Sequence, residues 1–377
     1  MPAAVGGGSG AGVVVPEGAP PAPRVTASSA VLIDVSSARV LYAKNAREKR
    51  APASLTKVMT ALVCLEAGDL DDTVTVSRTA AAVGGSSIWL EEGETQRLED
   101  LLYGLLLRSG NDAAEAVAEH VAGSVESFVL LMNRRAAEMG LADTTFRNPH
   151  GLPAPGHLTT AADLARIAHE ALLRPDFRRV VSTRRHVMPW PGRPWDRVLY
   201  NENRLLWVYP GADGVKTGWT SEAGRCLIAS ATRGGWQLAV VLLDAPEMWT
   251  DAVRLLDWGF SSFRPVLIHP EGAPVTRVRL AGAAERWVDL VAGRAVKVAL
   301  LPGELERVSL TPSAPVFVRS PLPEGAEVGS LWVSLDGAPL ASFPLVTAQD
   351  VPGGGLVASF LQGLWALVVT ALSRLFP

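Results

Sequence analysis

"GADGVKTGWTSEAGRCLIASATRGGWQLAVVLLD", Gly211 to Asp244, contains three short apolar runs separated by turn residues. "GVKTGWT", "RCLIASAT" and "WQLAVVLLD" read as adjacent strands, the last two joined by a Gly-Gly turn at Gly234–Gly235. Far upstream, "ASSAVLIDVSSARVLYAKNA" reads as two more strands, Val31 to Ile33 and Val40 to Tyr42, across a Ser-rich turn. Helical patterns lie between. Ser54 to Ala67 has apolar residues at i, i+3 and i+4 and a stop at Gly68. "LEDLLYGLLLRSGNDAAEAVAEHVAG" reads as a helix, a break at Ser109–Gly110, and a second helix from near Asn111. "VESFVLLMNRRAAEMG" and "LTTAADLARIAHEALL" are helical, the latter capped by Thr159 or Thr160, and "TDAVRLLDWGF" is helical again. Helices beside an antiparallel sheet define an α+β class.

After about residue 264 the pattern changes. "VTRVRL", "RWVDLV", "AVKVAL", "LERVSL", "PVFVRS" and "SLWVSLDGAPLASFPLV" alternate with period two, and Asp336–Gly337 marks a hairpin turn. The expected organisation is a Gly/Pro-rich segment over 1–24, the α+β domain over 25–264, a small all-β domain over 265–348, and a linker with an apolar segment over 349–377. That segment, Leu356 to Phe376, carries one charge, Arg374. As a helix it would be about 31 Å long, close to the bilayer core. It is read as a membrane anchor that spans the bilayer or lies in its surface. The first 24 residues show neither the basic region nor the apolar stretch of a signal peptide and are read as a flexible linker.

The net charge of −3 and the absence of a Lys/Arg-rich run give no reason to expect nucleic acid. Two cysteines, Cys64 and Cys226, fall in apolar runs and are read as core thiols. The six histidines form no H-E-x-x-H or comparable pair, so no metal is expected, and His150 and His157 are read as loop-stabilising.

Three short motifs carry chemistry. Ser54 and Lys57 form the chain's one S-x-x-K, in "ASLTKVMTAL". Residues at i and i+3 share a helix face, so a lysine amine reaches the serine oxygen. Serine needs a base to become a nucleophile, and lysine is a base only when burial or nearby positive charge lowers its pKa. The alternative reading is a helix-capping serine with a solvated lysine. Ser109-Gly110-Asn111 is the one S-x-N, placed at the helix–helix break. Lys216-Thr217-Gly218 opens a strand, where the glycine lets a ligand backbone lie close. Only five residues of the chain are lysines, and two of them fall in these motifs, although arginine is otherwise preferred. Arginine cannot serve as a base.

The order S-x-x-K, S-x-N, K-T-G is the signature of penicillin-binding proteins and class A β-lactamases. The chain resembles the serine-type D-alanyl-D-alanine carboxypeptidases of peptidase family S11, the low-molecular-weight penicillin-binding proteins. "APASLTKVMTAL", "SGNDAAEAVAEHVAG", "FRNPHGLPAPGHLTTAADLARIA", "GADGVKTGWTSEAGRCLIASA" and "LLDWGF" carry the likeness, which covers roughly Val25 to Phe260. The resemblance implies a β-lactamase/transpeptidase-like fold, followed by the family's β domain and membrane anchor. It implies that Ser54 attacks the bond between the terminal D-alanines of a peptidoglycan stem peptide, with Lys57 as base. Ser109 would relay a proton to the leaving D-alanine and Asn111 would hold the substrate backbone. Lys216 and Thr217 would bind the terminal carboxylate beside Gly218, and the N–H groups of Ser54 and Trp219 would form the oxyanion hole. No cofactor is implied, β-lactams would acylate Ser54, and the enzyme would work on the outer face of the membrane. Export then implies that the natural start is truncated or misassigned.

One departure stands out. Many family members place a carboxylate-gripping arginine shortly before the "LL-x-W-G-F" helix, where this chain has Met248 and Trp249. Arg225 is the candidate substitute. Two competing readings remain: a β-lactamase-like hydrolase, for which no E-x-x-L-N pattern is found between Asn111 and Lys216, and a catalytically weak, membrane-tethered wall-binding protein.

Overall fold

The computed structural model describes residues 12–281 and 287–351. The chain divides between Arg264 and Pro265 into two compact units, each taken by itself.

The first unit is built on a six-stranded sheet. Its order is Val13–Val14, Val40–Lys44, Ser29–Asp34, Trp236–Leu243, Gly224–Arg233, Ala212–Thr220. Its neighbours pair antiparallel, and the Gly234–Gly235 turn sets Trp236 opposite Arg233. Val13–Val14 lies inside the segment read as linker and pairs with Lys44 and Ala43, so the sheet begins earlier than expected. Strand alternation gives the sheet two apolar faces. Val31, Ile33, Ile228, Ala239 and Val241 join one continuous core with Leu55, Val58, Met59 and Leu62. The opposite face is covered by the helix Met248–Ser262, where a Cβ on Gly259 would lie 2.8 Å from Leu32 and Leu238.

The central helix is Thr56–Ala67, with Thr56 through Cys64 all buried. A helix buried on every side is surrounded by others, here including Leu98–Leu107, Asn111–Ala122, Val125–Glu138 and Ala161–Leu173. Thr160 caps the last of these by accepting from Asp163 N–H. Both cysteines are buried, and burial pushes their thiols up, Cys64 to about 12 and Cys226 to about 11.

The second unit is all β apart from one short 3-10 turn, Leu305–Arg307, among its described residues. Its larger sheet has six strands around a small apolar core that includes Val288, Leu290, Val333 and Phe343. Leu335 and Ala338 face each other across the Asp336–Gly337 turn. The apolar segment Leu356 to Phe376 lies outside the described residues. Among those described, no helix is long and apolar enough to cross a membrane.

Candidate active site

Ser54 does not cap the central helix. It sits inside a 3-10 turn, Ala53–Leu55, and Leu55 occupies the N-cap position without a side-chain cap bond. Ala53 holds the turn in the left-handed region, φ 48°. Such a conformation costs about 1–3 kcal/mol and persists where its surroundings impose it. Here they do. Thr56 Oγ1 donates to the Ala53 carbonyl and Gly151 packs against the same group.

Lys57, fully buried, sits one turn from Ser54. Its Nζ lies 2.7 Å from Asn111 Oδ1, 2.7 Å from the His150 carbonyl and 3.2 Å from Ser54 Oγ. The Asn111 amide orientation is fixed because its Nδ2 donates to the Gly84 carbonyl at 2.7 Å. Two of the three partners of Lys57 are therefore carbonyl oxygens, which only accept. A neutral amine has two N–H bonds and one lone pair. In the neutral form the two carbonyls can take both hydrogens, which leaves the lone pair for the Ser54 hydroxyl. Burial drives the Lys57 pKa well below that of a free lysine, and Lys216 adds to the effect, against opposing pulls from Glu202 and Asp112.

Ser109 and Asn111 occupy the break between two helices. Ser109 is buried with φ 61°, and Asn111 opens the helix Asn111–Ala122. Asp112 next to it accepts from the N–H groups of Ile88 and Leu90 and from Ser87 Oγ. That ties the segment from Gly84 to Leu90 over the same site.

The segment "NPHG" holds the other side. Asn148 Oδ1 accepts from the N–H groups of His150 and Gly151. His150 Nδ1 accepts from Leu152 N–H, so its Nε2–H donates to Glu115 at 3.1 Å. His157 is arranged alike: Nδ1 accepts from Arg147 N–H and Nε2–H faces Thr56 Oγ1 at 2.9 Å. Burial lowers the pKa of both rings, His157 to about 4. Both are neutral braces, as the sequence suggested. The contact to Lys57 that the sequence did not reveal is the His150 backbone carbonyl, which lies in "NPHGL".

The K-T-G strand closes the cleft. By alternation Lys216 and Gly218 look toward the central helix; Thr217, half-buried, keeps its Oγ1 3.4 Å from Glu202 Oε2, and Trp219 points to solvent. A Cβ on Gly218 would lie 3.1 Å from Ser54 N and 3.3 Å from Leu55 N, so the strand backbone runs directly beside the nucleophile turn. Lys216 is buried, and its Nζ donates to the Thr217 carbonyl at 3.1 Å. Burial lowers its pKa to about 8, with Glu202 and Arg108 acting in opposite senses. Trp219 is 67% exposed. Arg225, opposite Trp219, is exposed and donates to the Pro246 carbonyl; Met248 opens the helix that follows.

The serine beside a buried lysine, an asparagine on that lysine, and a lysine-bearing edge strand next to the serine define a penicillin-recognising serine hydrolase of the acyl-enzyme class. The family model of D-alanyl-D-alanine carboxypeptidases matches residues 17–247, and that of the penicillin-binding protein 5 C-terminal domain matches residues 263–353. The chain belongs to the D-alanyl-D-alanine carboxypeptidase family of peptidase S11, and is a serine-type carboxypeptidase of the low-molecular-weight penicillin-binding group. It is 36% identical to D-alanyl-D-alanine carboxypeptidase DacF of Bacillus subtilis, over 89% of this chain and 88% of the relative. It is 38% identical to DacC of Escherichia coli, over 94% and 90% respectively. Penicillin-binding protein 5 from Haemophilus influenzae superposes with a TM-score of 0.67 at 31% identity, covering 89% of this chain and all of that one. Membership implies a peptidoglycan peptide as substrate and β-lactam binding.

Proposed function

We propose that Ser54 is the acylated nucleophile and that Lys57, as the neutral amine, takes its proton. The observation that carries this reading is the fully buried Lys57 Nζ 3.2 Å from Ser54 Oγ, held in place by Asn111 Oδ1 and the His150 carbonyl, with burial and Lys216 lowering its pKa. The outer edge of the K-T-G strand ends the sheet, so its backbone is available to pair with an extended stem peptide. The N–H groups of Ser54 and Trp219 receive the developing oxyanion. Lys216 and Thr217 receive the terminal carboxylate, and Ser109 passes a proton to the departing D-alanine. Asn111 holds Lys57 in the substrate-free enzyme, and the substrate backbone is its second partner. Water then releases the acyl group.

The test is labelling with a fluorescent penicillin followed by a D-alanine release assay. Ser54→Ala abolishes both, and mass spectrometry places the wild-type adduct on the peptide containing Ser54. An adduct on another serine overturns the assignment. The apolar stretch Leu356 to Phe376, with its single charge, supports anchoring at the extracytoplasmic membrane face. Removal of residues 356–377 then moves the protein to the soluble fraction with peptide hydrolysis intact; a truncated protein that still pellets with membranes places the anchor elsewhere.

A further inference from the structure

An acidic side chain stands at the subsite assigned above to a carboxylate. Glu202 Oε2 accepts from Thr217 Oγ1 at 3.4 Å, and Glu202 Oε1 lies 3.6 Å from Arg108 Nη1. The Glu202 side chain is exposed, but the backbone that carries it is fixed. Asn201 on one side donates to the Val181 and Thr183 carbonyls, and Asn203 on the other donates to the Gly214 carbonyl. Glu202 N–H donates to the Leu107 carbonyl, in the residue just before Arg108. The turn thus holds Glu202 between the S-x-N break and the K-T-G strand. Its charge acts on both site lysines, raising the pKa of Lys57 and of Lys216, while Arg108 lowers that of Lys216.

We propose that Glu202 and Arg108 are an opposed charge pair that sets how strongly this enzyme selects a free C-terminal carboxylate. Glu202 accepts from the Thr217 hydroxyl that a substrate carboxylate would use. An entering carboxylate meets a like charge there, and Arg108 relieves it by holding Glu202 and adding a cation beside Lys216. Arg108 thereby supplies positive charge near the subsite. The inference rests on the K-T-G reading under Proposed function.

The experiment compares kcat/KM for diacetyl-L-Lys-D-Ala-D-Ala with that for the same peptide ending in a carboxamide. A partly exposed like charge at this range changes affinity by roughly fivefold. E202Q raises the acid-to-amide ratio by about that factor, through KM for the acid rather than kcat, and the gain shrinks in high salt. R108Q lowers the ratio by a similar factor. An unchanged ratio in either variant, or an equal change for acid and amide, overturns the proposal. Lys216→Gln separates the two levels: it collapses the ratio if K-T-G binds the carboxylate. A ratio that survives Lys216→Gln sinks the K-T-G reading itself. A collapsed ratio with an inert E202Q sinks only the charge-pair inference.

Discussion

Asn111 Oδ1 lies 2.7 Å from Lys57 Nζ, while the amide nitrogen of the same side chain is committed to the Gly84 carbonyl. The asparagine of S-x-N therefore holds the lysine of S-x-x-K directly. Asn111→Leu removes one of the two acceptors that orient the amine. Acylation by penicillin is expected to fall about 10²-fold, within the range by which a positioned base contributes. Lys57→Arg keeps the charge but cannot deprotonate, and falls as far as Lys57→Ala. Stopped-flow acylation rates check this; a Lys57→Arg enzyme at near wild-type rate would show that Lys57 acts only as a charge.

The two lysines give the pH dependence opposite limbs. On the proposed mechanism activity requires Lys57 neutral, and its lowered pKa brings the rising limb well below the 10.5 of a free lysine. Carboxylate binding by Lys216, as proposed, requires its charge, and its pKa of about 8 then makes kcat/KM fall on the alkaline side. The profile is a bell whose two values belong to the coupled pair. Lys216→Arg keeps its charge at every accessible pH, so the alkaline limb moves up while the acid limb stays. A wild-type profile that rises without a fall through pH 10 contradicts the assignment.

Why the sequence pointed to Ser54 and Lys57 but not to the groups around them has a physical basis. Ser54, Lys57, Asn111 and Lys216 act through side-chain chemistry, so residue type and spacing report them. The His150 carbonyl acts through a backbone atom that every residue has, and only the fold aims it. Glu202 becomes notable only when Thr217 is found beside it, fifteen residues on in sequence. The strands of the sheet were legible from their apolar runs and turn glycines. The hairpin Arg185–Met188 with Arg197–Tyr200 was not, because its apolar and charged residues are mixed and it is held by a buried Arg197–Glu94 ion pair. Val13–Val14 escaped notice because two residues in a Gly-rich stretch make no pattern.

Two glycines should separate fold from catalysis. Gly151 has φ +91°, and a Cβ there would run into the Ala53 carbonyl. Gly151→Ala therefore strains the backbone and displaces the turn bearing Ser54, costing about 1–3 kcal/mol and lowering Tm by several degrees. Gly218 has ordinary backbone angles and its Cβ would meet Ser54 N at 3.1 Å, a contact that shifts by tenths of an ångström. Gly218→Ala is expected to leave Tm within a degree or two and to slow acylation at least tenfold, because small misplacements at a reacting centre are costly. Calorimetry beside penicillin labelling tests both. Equal loss of Tm in the two variants would refute the distinction.

The braces themselves should make the fold acid-sensitive. His157 is neutral in the folded protein, with its pKa lowered to about 4 from 6.5, and His150 is lowered too. The unfolded chain therefore binds more protons than the folded one as pH falls below about 6.5, and stability drops with decreasing pH. For His157 the slope is about 1.4 kcal/mol per pH unit between about 6.5 and 4, and the stability is fully present only above that window. Protonation also puts a hydrogen on Nδ1, which must then face the Arg147 N–H instead of accepting from it. His157→Gln is expected to be less stable at pH 7, yet to lose about one proton's worth of slope below pH 6.5. The remaining slope includes the His150 contribution. Urea midpoints across pH 4 to 7.5 measure it, and a His157→Gln slope equal to that of the wild type would show that this ring does not drive the acid transition.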